Sequence, residues 1–193
     1  NIKMLVTDID GTLLPAGMEV PRRNVEAVQR AARAGVTVTV ATGRMYRAAL
    51  PVARALGVDV PIITYNGAVI KSVSGKVYDE NFLSPAVVRE ALAFCRARGW
   101  HVQLYADDVL YFAERNAYAA AYEADQALRG EAVGWDGLAA RAEHVAKLLV
   151  ISDDAAQTAE RVAALVQHLE PCRNAPIWRV GARPSRRCAL ALD

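Results

Sequence analysis

Asp8 and Asp10, one residue apart and followed by Gly11-Thr12-Leu13-Leu14, are the residues whose types and spacing best suit chemistry. They end an apolar run, Leu5-Val6 with Ile9 between the acids, and an unpaired carboxylate is costly to bury in a strand interior. The pair therefore belongs at the C-terminal end of a strand, where open α/β sheets place their ligands. The alternative is a surface turn whose acids accept from backbone N–H groups, a common use of Asp. The other chemistry-bearing residue types are sparse. His101, His144 and His168 have no ligand spacing, and Cys95, Cys172 and Cys188 form no C-x-x-C pair, which argues against a zinc site or a disulfide framework. Whatever chemistry the chain performs runs on carboxylates.

Two further polar groups fall at the ends of predicted strands. Ile2–Thr7 reads as a short buried strand, and Pro21 opens a helix that Gly35 ends. Val36-Thr37-Val38-Thr39-Val40 is β-branched throughout and predicts a second strand running into Thr42-Gly43-Arg44. Met45–Leu56 is predicted helical, and Pro61–Tyr65 predicts a third strand ending in Asn66-Gly67. Strands joined by helices imply a parallel sheet with right-handed crossovers, so the strand ends share one edge. Asp8, Asp10, Thr42 and Arg44 then converge, although more than thirty positions separate the two groups.

Beyond Ala68 the pattern changes to hairpins alternating with helices: strands at 68–71 and 76–78, a helix at 85–98, and a hairpin at 101–105 and 109–113. A helix at 116–128, a loop at 130–137, a strand at 147–151 and a helix at 155–169 complete the pattern. This predicts an antiparallel α+β module beginning near Leu83. The predicted divisions are a core over 1–82, a second module over 83–180, and a segment 181–193 that either starts a return to the core or is a non-native tail.

The 193 residues are 53% hydrophobic and 23% charged, ordinary values for a chain with a real core. A net charge of +2 gives no ground for nucleic-acid or membrane binding, no apolar run is long enough to span a bilayer, and the first residues do not read as a signal peptide. The expected compartment is the cytoplasm.

Asp8-Ile9-Asp10-Gly11-Thr12-Leu13-Leu14 resembles the D-x-D-G-T-L motif of the haloacid dehalogenase-like phosphohydrolases. Thr42-Gly43-Arg44 is similar to that superfamily's second motif, and Asn66-Gly67-Ala68 to the Cof-like sugar-phosphatase branch, which inserts an α/β cap at this point. The resemblance implies an α/β fold: a Rossmann-like parallel-sheet core with an inserted α+β cap. It also implies a Mg²⁺-dependent phosphatase acting on small phosphorylated metabolites, with sugar phosphates foremost. In that reading Asp8 is the nucleophile and forms an aspartyl-phosphate, and Asp10 is the acid and base. Both help hold Mg²⁺, Asp10 through its backbone carbonyl. Gly11, Thr12, Thr42, Gly43, Arg44 and Asn66 bind phosphate or substrate, with Arg44 equally suited to anchoring the motif.

The chain also departs from the pattern. The family's S-K-G-x-A-L-like return has only a degenerate counterpart in Ser185-Arg186-Arg187-Cys188-Ala189-Leu190, with Arg186 in the lysine's place. The acidic G-D-x-x-N-D motif does not occur before Asp193. Residues 171–192 carry five arginines and no acid. These departures predict a core incomplete at its C-terminus, as in a fragment or a shifted reading frame, or else a solvated basic end. The competing function is an impaired relative that only binds a phospho-ligand or a partner; phosphomutase activity is a third reading. Oligomeric state is left open.

Overall fold

The computed structural model describes residues 2–15, 19–57, 59–170, 180–183 and 189–192. The chain divides into two compact units, Asn1–Glu80 and Asn81–Asp193.

In the first unit β1 (Met4–Thr7) pairs in parallel with β2 (Thr37–Val40), in the register Met4↔Thr37 to Thr7↔Val40. The crossover between them is α1 (Arg22–Arg33), which Gly35 ends with a φ of +82°. Helix α2 (Tyr46–Ala55) leads to β3 (Pro61–Thr64), which meets the end of β2 through a parallel bridge between Ala41 and Ile63. A tight turn, Tyr65–Gly67, then reverses the chain into the antiparallel strands β4 (Val69–Ser72) and β5 (Val77–Glu80). The core gathers Val38 and Val40 of β2, Ala49, Val52 and Leu56 around α2, Val28 of α1, Ile62 of β3, and Ile9, Leu13 and Leu14. Thr39 is buried among them and donates its hydroxyl proton to the Pro61 carbonyl, which removes the cost of an unpaired buried hydroxyl.

β1 differs from its expected burial. Met4 is 59% exposed, and Leu5 and Val6 are nearly half exposed. The reason is topological. Among the described residues β1 hydrogen-bonds only to β2, whereas an apolar parallel strand is ordinarily covered on both faces.

Among the described residues the second unit is a six-stranded sheet with helices, in the strand order β10 (Val180–Arg183), β11 (Ala189–Leu192), β9 (Val145–Ile151), β6 (Val102–Ala106), β7 (Val109–Phe112), β8 (Glu131–Ala132). In chain order it runs α3 (Pro85–Ala97), β6 (Val102–Ala106), β7 (Val109–Phe112), α4 (Ala117–Gln126), β8 (Glu131–Ala132) and α5 (Gly134–Ala140). It continues through β9 (Val145–Ile151), α6 (Ala155–Leu169), β10 (Val180–Arg183) and β11 (Ala189–Leu192). Val87, Val88, Leu92 and Cys95 of α3 pack with Val102 and Leu104 of β6, Leu148 and Val150 of β9, and Leu165 and Leu169 of α6. The period-two alternation of β6 leaves Gln103 and Tyr105 off that core, and Tyr105 lies opposite Lys147 in the register.

The stretch 130–137, expected as loop, holds β8 and the start of α5 instead. Its glycines read as breakers, but tertiary packing overrides that weak preference. Leu138 is fully buried and Trp135 packs on the core. A side chain at Gly130 would meet Phe112 at 2.5 Å, so only glycine allows this close approach. Of the segment 181–193, the described strands β10 and β11 extend the second unit's sheet, β11 pairing antiparallel with β9. Among the described residues no helix is long and apolar enough to cross a membrane.

Candidate active site

The site begins where β1 ends. Asp8 and Asp10 are both exposed, and Ile9 between them is fully buried, which pins the backbone that carries the two acids. The Ile9 carbonyl accepts from the N–H groups of Leu13 and Leu14 at 3.0 and 2.9 Å, and Gly11 N–H donates to the Leu14 carbonyl at 2.9 Å. This curls Gly11-Thr12 into an exposed turn, and Gly11 takes a φ of +76° that side chains rarely adopt. Asn24 of α1 donates to the Leu13 carbonyl at 3.2 Å and ties the turn to the helix.

The second group sits on the end of β2. Thr42 is buried, and its N–H donates to the Ile63 carbonyl at 2.9 Å. Its hydroxyl accepts from Arg44 N–H at 3.2 Å. The third group clasps the second through the backbone: Tyr65 N–H donates to the Arg44 carbonyl at 2.9 Å, and Asn66 N–H to the Thr42 carbonyl at 3.1 Å. Making both bonds requires a left-handed backbone, with φ of 51° at Tyr65, 56° at Asn66 and 107° at Gly67. A bulky aromatic residue in that region is uncommon and strained. Asn66-Gly67 signals such a turn in the sequence, whereas nothing in the sequence marks Tyr65. Its side chain is buried while its backbone holds the Thr42–Arg44 loop.

The first and second groups meet through Arg44. Its Nε lies 3.2 and 3.0 Å from the two carboxylate oxygens of Asp10, and one terminal nitrogen lies 2.5 Å from Oδ1. This is a forked guanidinium–carboxylate pair, the strongest kind of charge-assisted contact. The Arg44 side chain is 16% exposed and that of Asp10 45%, so the guanidinium is fixed by its surroundings and the carboxylate reaches out to it. Asp8, in contrast, makes no side-chain hydrogen bond or ion pair among the described residues. Helix α2 starts two residues after Arg44 and carries no side-chain cap, so its positive dipole end faces the same loop. Gly43 belongs to this loop, and Arg186 lies outside the described residues.

A divalent cation is suited by hard oxygen donors, and the Asp8 carboxylate with the Asp10 carbonyl are of that kind. They are few: no group of three His, Cys, Asp or Glu side chains placed to hold a metal occurs among the described residues.

The comparisons agree with this geometry. A family model described as haloacid dehalogenase-like hydrolase matches residues 5–177. The phosphatase YwpJ of Bacillus subtilis is 27% identical over 110 residues, 57% of this chain and 39% of that protein. The 5-amino-6-(5-phospho-D-ribitylamino)uracil phosphatase YwtE of the same organism is 30% identical over 110 residues, 56% of this chain and 37% of its own. The matched part of the chain thus spans about two-fifths of the length of these curated relatives. The crystal structure of TM0651 from Thermotoga maritima superposes on all of this chain and 70% of that one, with a TM-score of 0.80 at 22% identity. With the acidic pair, the Thr-Gly-Arg loop and the Asn-Gly turn assembled on one strand edge, the chain belongs to the haloacid dehalogenase-like hydrolases.

Proposed function

We propose that the chain carries the nucleophile of a Mg²⁺-dependent phosphatase that hydrolyses small phosphorylated metabolites, sugar phosphates foremost, in the cytoplasm. The observation that carries this reading is the asymmetry of the two acids. Asp8 is exposed and unpaired among the described residues, as an attacking carboxylate must be, and Asp10 two residues on is held by Arg44. The relatives support it: one is a phosphatase, and the other is named for a ribityl phosphate compound.

In this reading an Asp8 carboxylate oxygen attacks phosphorus and the bond to the ester oxygen breaks. The departing oxygen takes a proton from Asp10, leaving an aspartyl-phosphate on Asp8. Water then attacks that phosphorus, its proton passes to Asp10, and inorganic phosphate leaves as the Asp8 carboxylate re-forms. The Thr42 hydroxyl, the Gly43 N–H and the α2 N-terminus hold the phosphoryl oxygens. Gly11 and Thr12 shape the turn beneath them, and Asn66 contacts substrate. The Asp8 carboxylate and the Asp10 carbonyl would hold Mg²⁺, which when bound would supply charge neutralisation that eases the approach of one anion to another.

A second reading, a phospho-ligand binder without turnover, rests on the small number of acids grouped with Asp8 and Asp10 among the described residues. An aryl phosphate assay with and without Mg²⁺ separates the two. The hydrolase reading expects Mg²⁺-dependent release of the aryl alcohol that Asp8→Asn abolishes. A folded protein that binds phosphate without turnover supports the binder.

A further inference from the structure

Asp10 has two conflicting demands on it. A carboxylate whose oxygens both accept from a guanidinium is held away from other partners, yet the proposed function needs it at the leaving oxygen. In this structure the Arg44 fork occupies both Asp10 oxygens, at 3.2 and 3.0 Å from Nε and 2.5 Å from the terminal nitrogen. Arg44 itself cannot drift far. Its N–H donates to the Thr42 hydroxyl, its carbonyl accepts from Tyr65, and its side chain is largely buried. Those contacts place the guanidinium on the loop whose Thr42 and Gly43 are the proposed phosphoryl ligands, and the same planar fork fits phosphate as well as carboxylate.

We propose that Arg44 is a positioning residue that latches Asp10, and that an arriving phosphoryl group takes the carboxylate's place on the anchored guanidinium and sets Asp10 free to reach the leaving oxygen. This deepens the phosphatase reading and rests on it. The dianionic phosphoryl group outcompetes a monoanionic carboxylate for the fork, so release of the acid is coupled to occupancy of the site. Without substrate, Asp10 stays engaged with Arg44. The exposure of the pair fits this exchange: the carboxylate is the more accessible partner, so it moves while the guanidinium stays anchored.

The test is a double-substitution cycle read by the affinity for inorganic phosphate, measured calorimetrically with Mg²⁺ present on the full chain. Asp10→Asn removes the competitor for Arg44 and also one negative charge. Arg44→Met removes the fork while leaving that charge effect in place. The latch expects Asp10→Asn to tighten phosphate binding about tenfold more with Arg44 present than in the Arg44→Met background, the scale of one charge-assisted hydrogen bond. Equal effects in the two backgrounds, or no phosphate binding by any of the four proteins, would overturn it. Should a variant fail to fold, the unsubstituted chain gives a second reading by NMR. Phosphate should shift the Arg44 Nε–H resonance and the Asp10 carboxyl carbon together, and phosphate binding that leaves both unmoved refutes the latch. The two proposals fail separately. A flat cycle in a protein that turns over aryl phosphate removes the latch alone, and a coupled cycle without turnover removes the hydrolase reading alone.

Discussion

Arg44 shows how much one contact settles at the residue scale. In the sequence it suited two roles, touching substrate or anchoring its motif, because a Thr-Gly-Arg triplet does not say which anion the guanidinium meets. The structure pairs it with Asp10, thirty-four positions away, and so relates the two motifs physically. The Tyr65–Gly67 turn is the second example. Its left-handed residues supply the N–H groups that hold Thr42 and Arg44, so its strain is offset by fixing the loop. Asn tolerates this conformation better than a residue with no local polar group to offer. Asn66→Ala is expected to cost about 1 kcal/mol in urea unfolding, and Asn66→Gly to be near neutral. Equal stability of the Ala and Gly variants would show that the backbone angle at 66 is not what matters.

At the scale of elements, β6 carries two different faces. Val102 and Leu104 enter the core of the second unit, while Gln103 and Tyr105 share a buried hydrogen bond of 3.0 Å on the other side. His101 at the strand's start joins them: it lies 3.3 Å from the Gln103 amide and 3.1 Å from that of Asn116, and it stacks on Tyr118 of α4. Burial pushes its pKa down from 6.5 to about 4. The sign follows from linkage. The unfolded chain takes up a proton as pH falls through 6.5, but the folded one resists until about 4, so stability is full above 6.5 and is lost on going down that window. The expected loss between pH 7 and 4.5 is on the order of 2 kcal/mol, and His101→Gln should flatten it in chemical melts at the two pH values. An unchanged slope in that variant would place the acid sensitivity elsewhere. Cys95 of α3, in the same unit, is pushed up to about 12 by burial, with Arg161 and Arg98 opposing the shift, so it stays a thiol and packs as a small apolar group.

For the whole molecule, the two units have separate hydrophobic clusters. One is built on β2 and α2, the other on α3, β6, β9 and α6. Separate cores unfold as separate cooperative blocks when little else couples them. Val38→Ala, in the first cluster, and Leu148→Ala, in the second, are each expected to cost about 2–4 kcal/mol, but in different transitions. Calorimetry of the two variants checks this, and a single transition lowered equally by both would show one cooperative fold. In the first unit the apolar side chains of β1 are exposed although it carries Asp8 and Asp10 at its end. The proposed site therefore stands at the end of a strand that, among the described residues, is held by β2, by Ile9 and by the Arg44 fork.

Much of this was legible from residue order because the signals are local. β-branched runs, the glycine after α1 and the acidic turn predict the strands and helices of the first unit within a residue or two. The α/β class with a parallel core follows from their alternation. Helix α6 runs over Ala155–Leu169, as its periodicity predicts, with Asp154 capping it through Gln157 N–H at 2.8 Å. The strand and helix at 131–140 were not legible, because Gly130 before them answers to the distant Phe112, and the buried Leu138 and the core-packed Trp135 outweigh the glycines between them. The exposure of β1 was not legible either, since an apolar run says what a strand prefers but not how many partners it finds. By itself the sequence determined which residues carry oxygen and charge, and on which strand ends, because those depend on spacing along one chain. Only the tertiary structure decided that Arg44 closes on Asp10 while Asp8 stays unpaired among the described residues, because that choice depends on atoms brought together across the sheet.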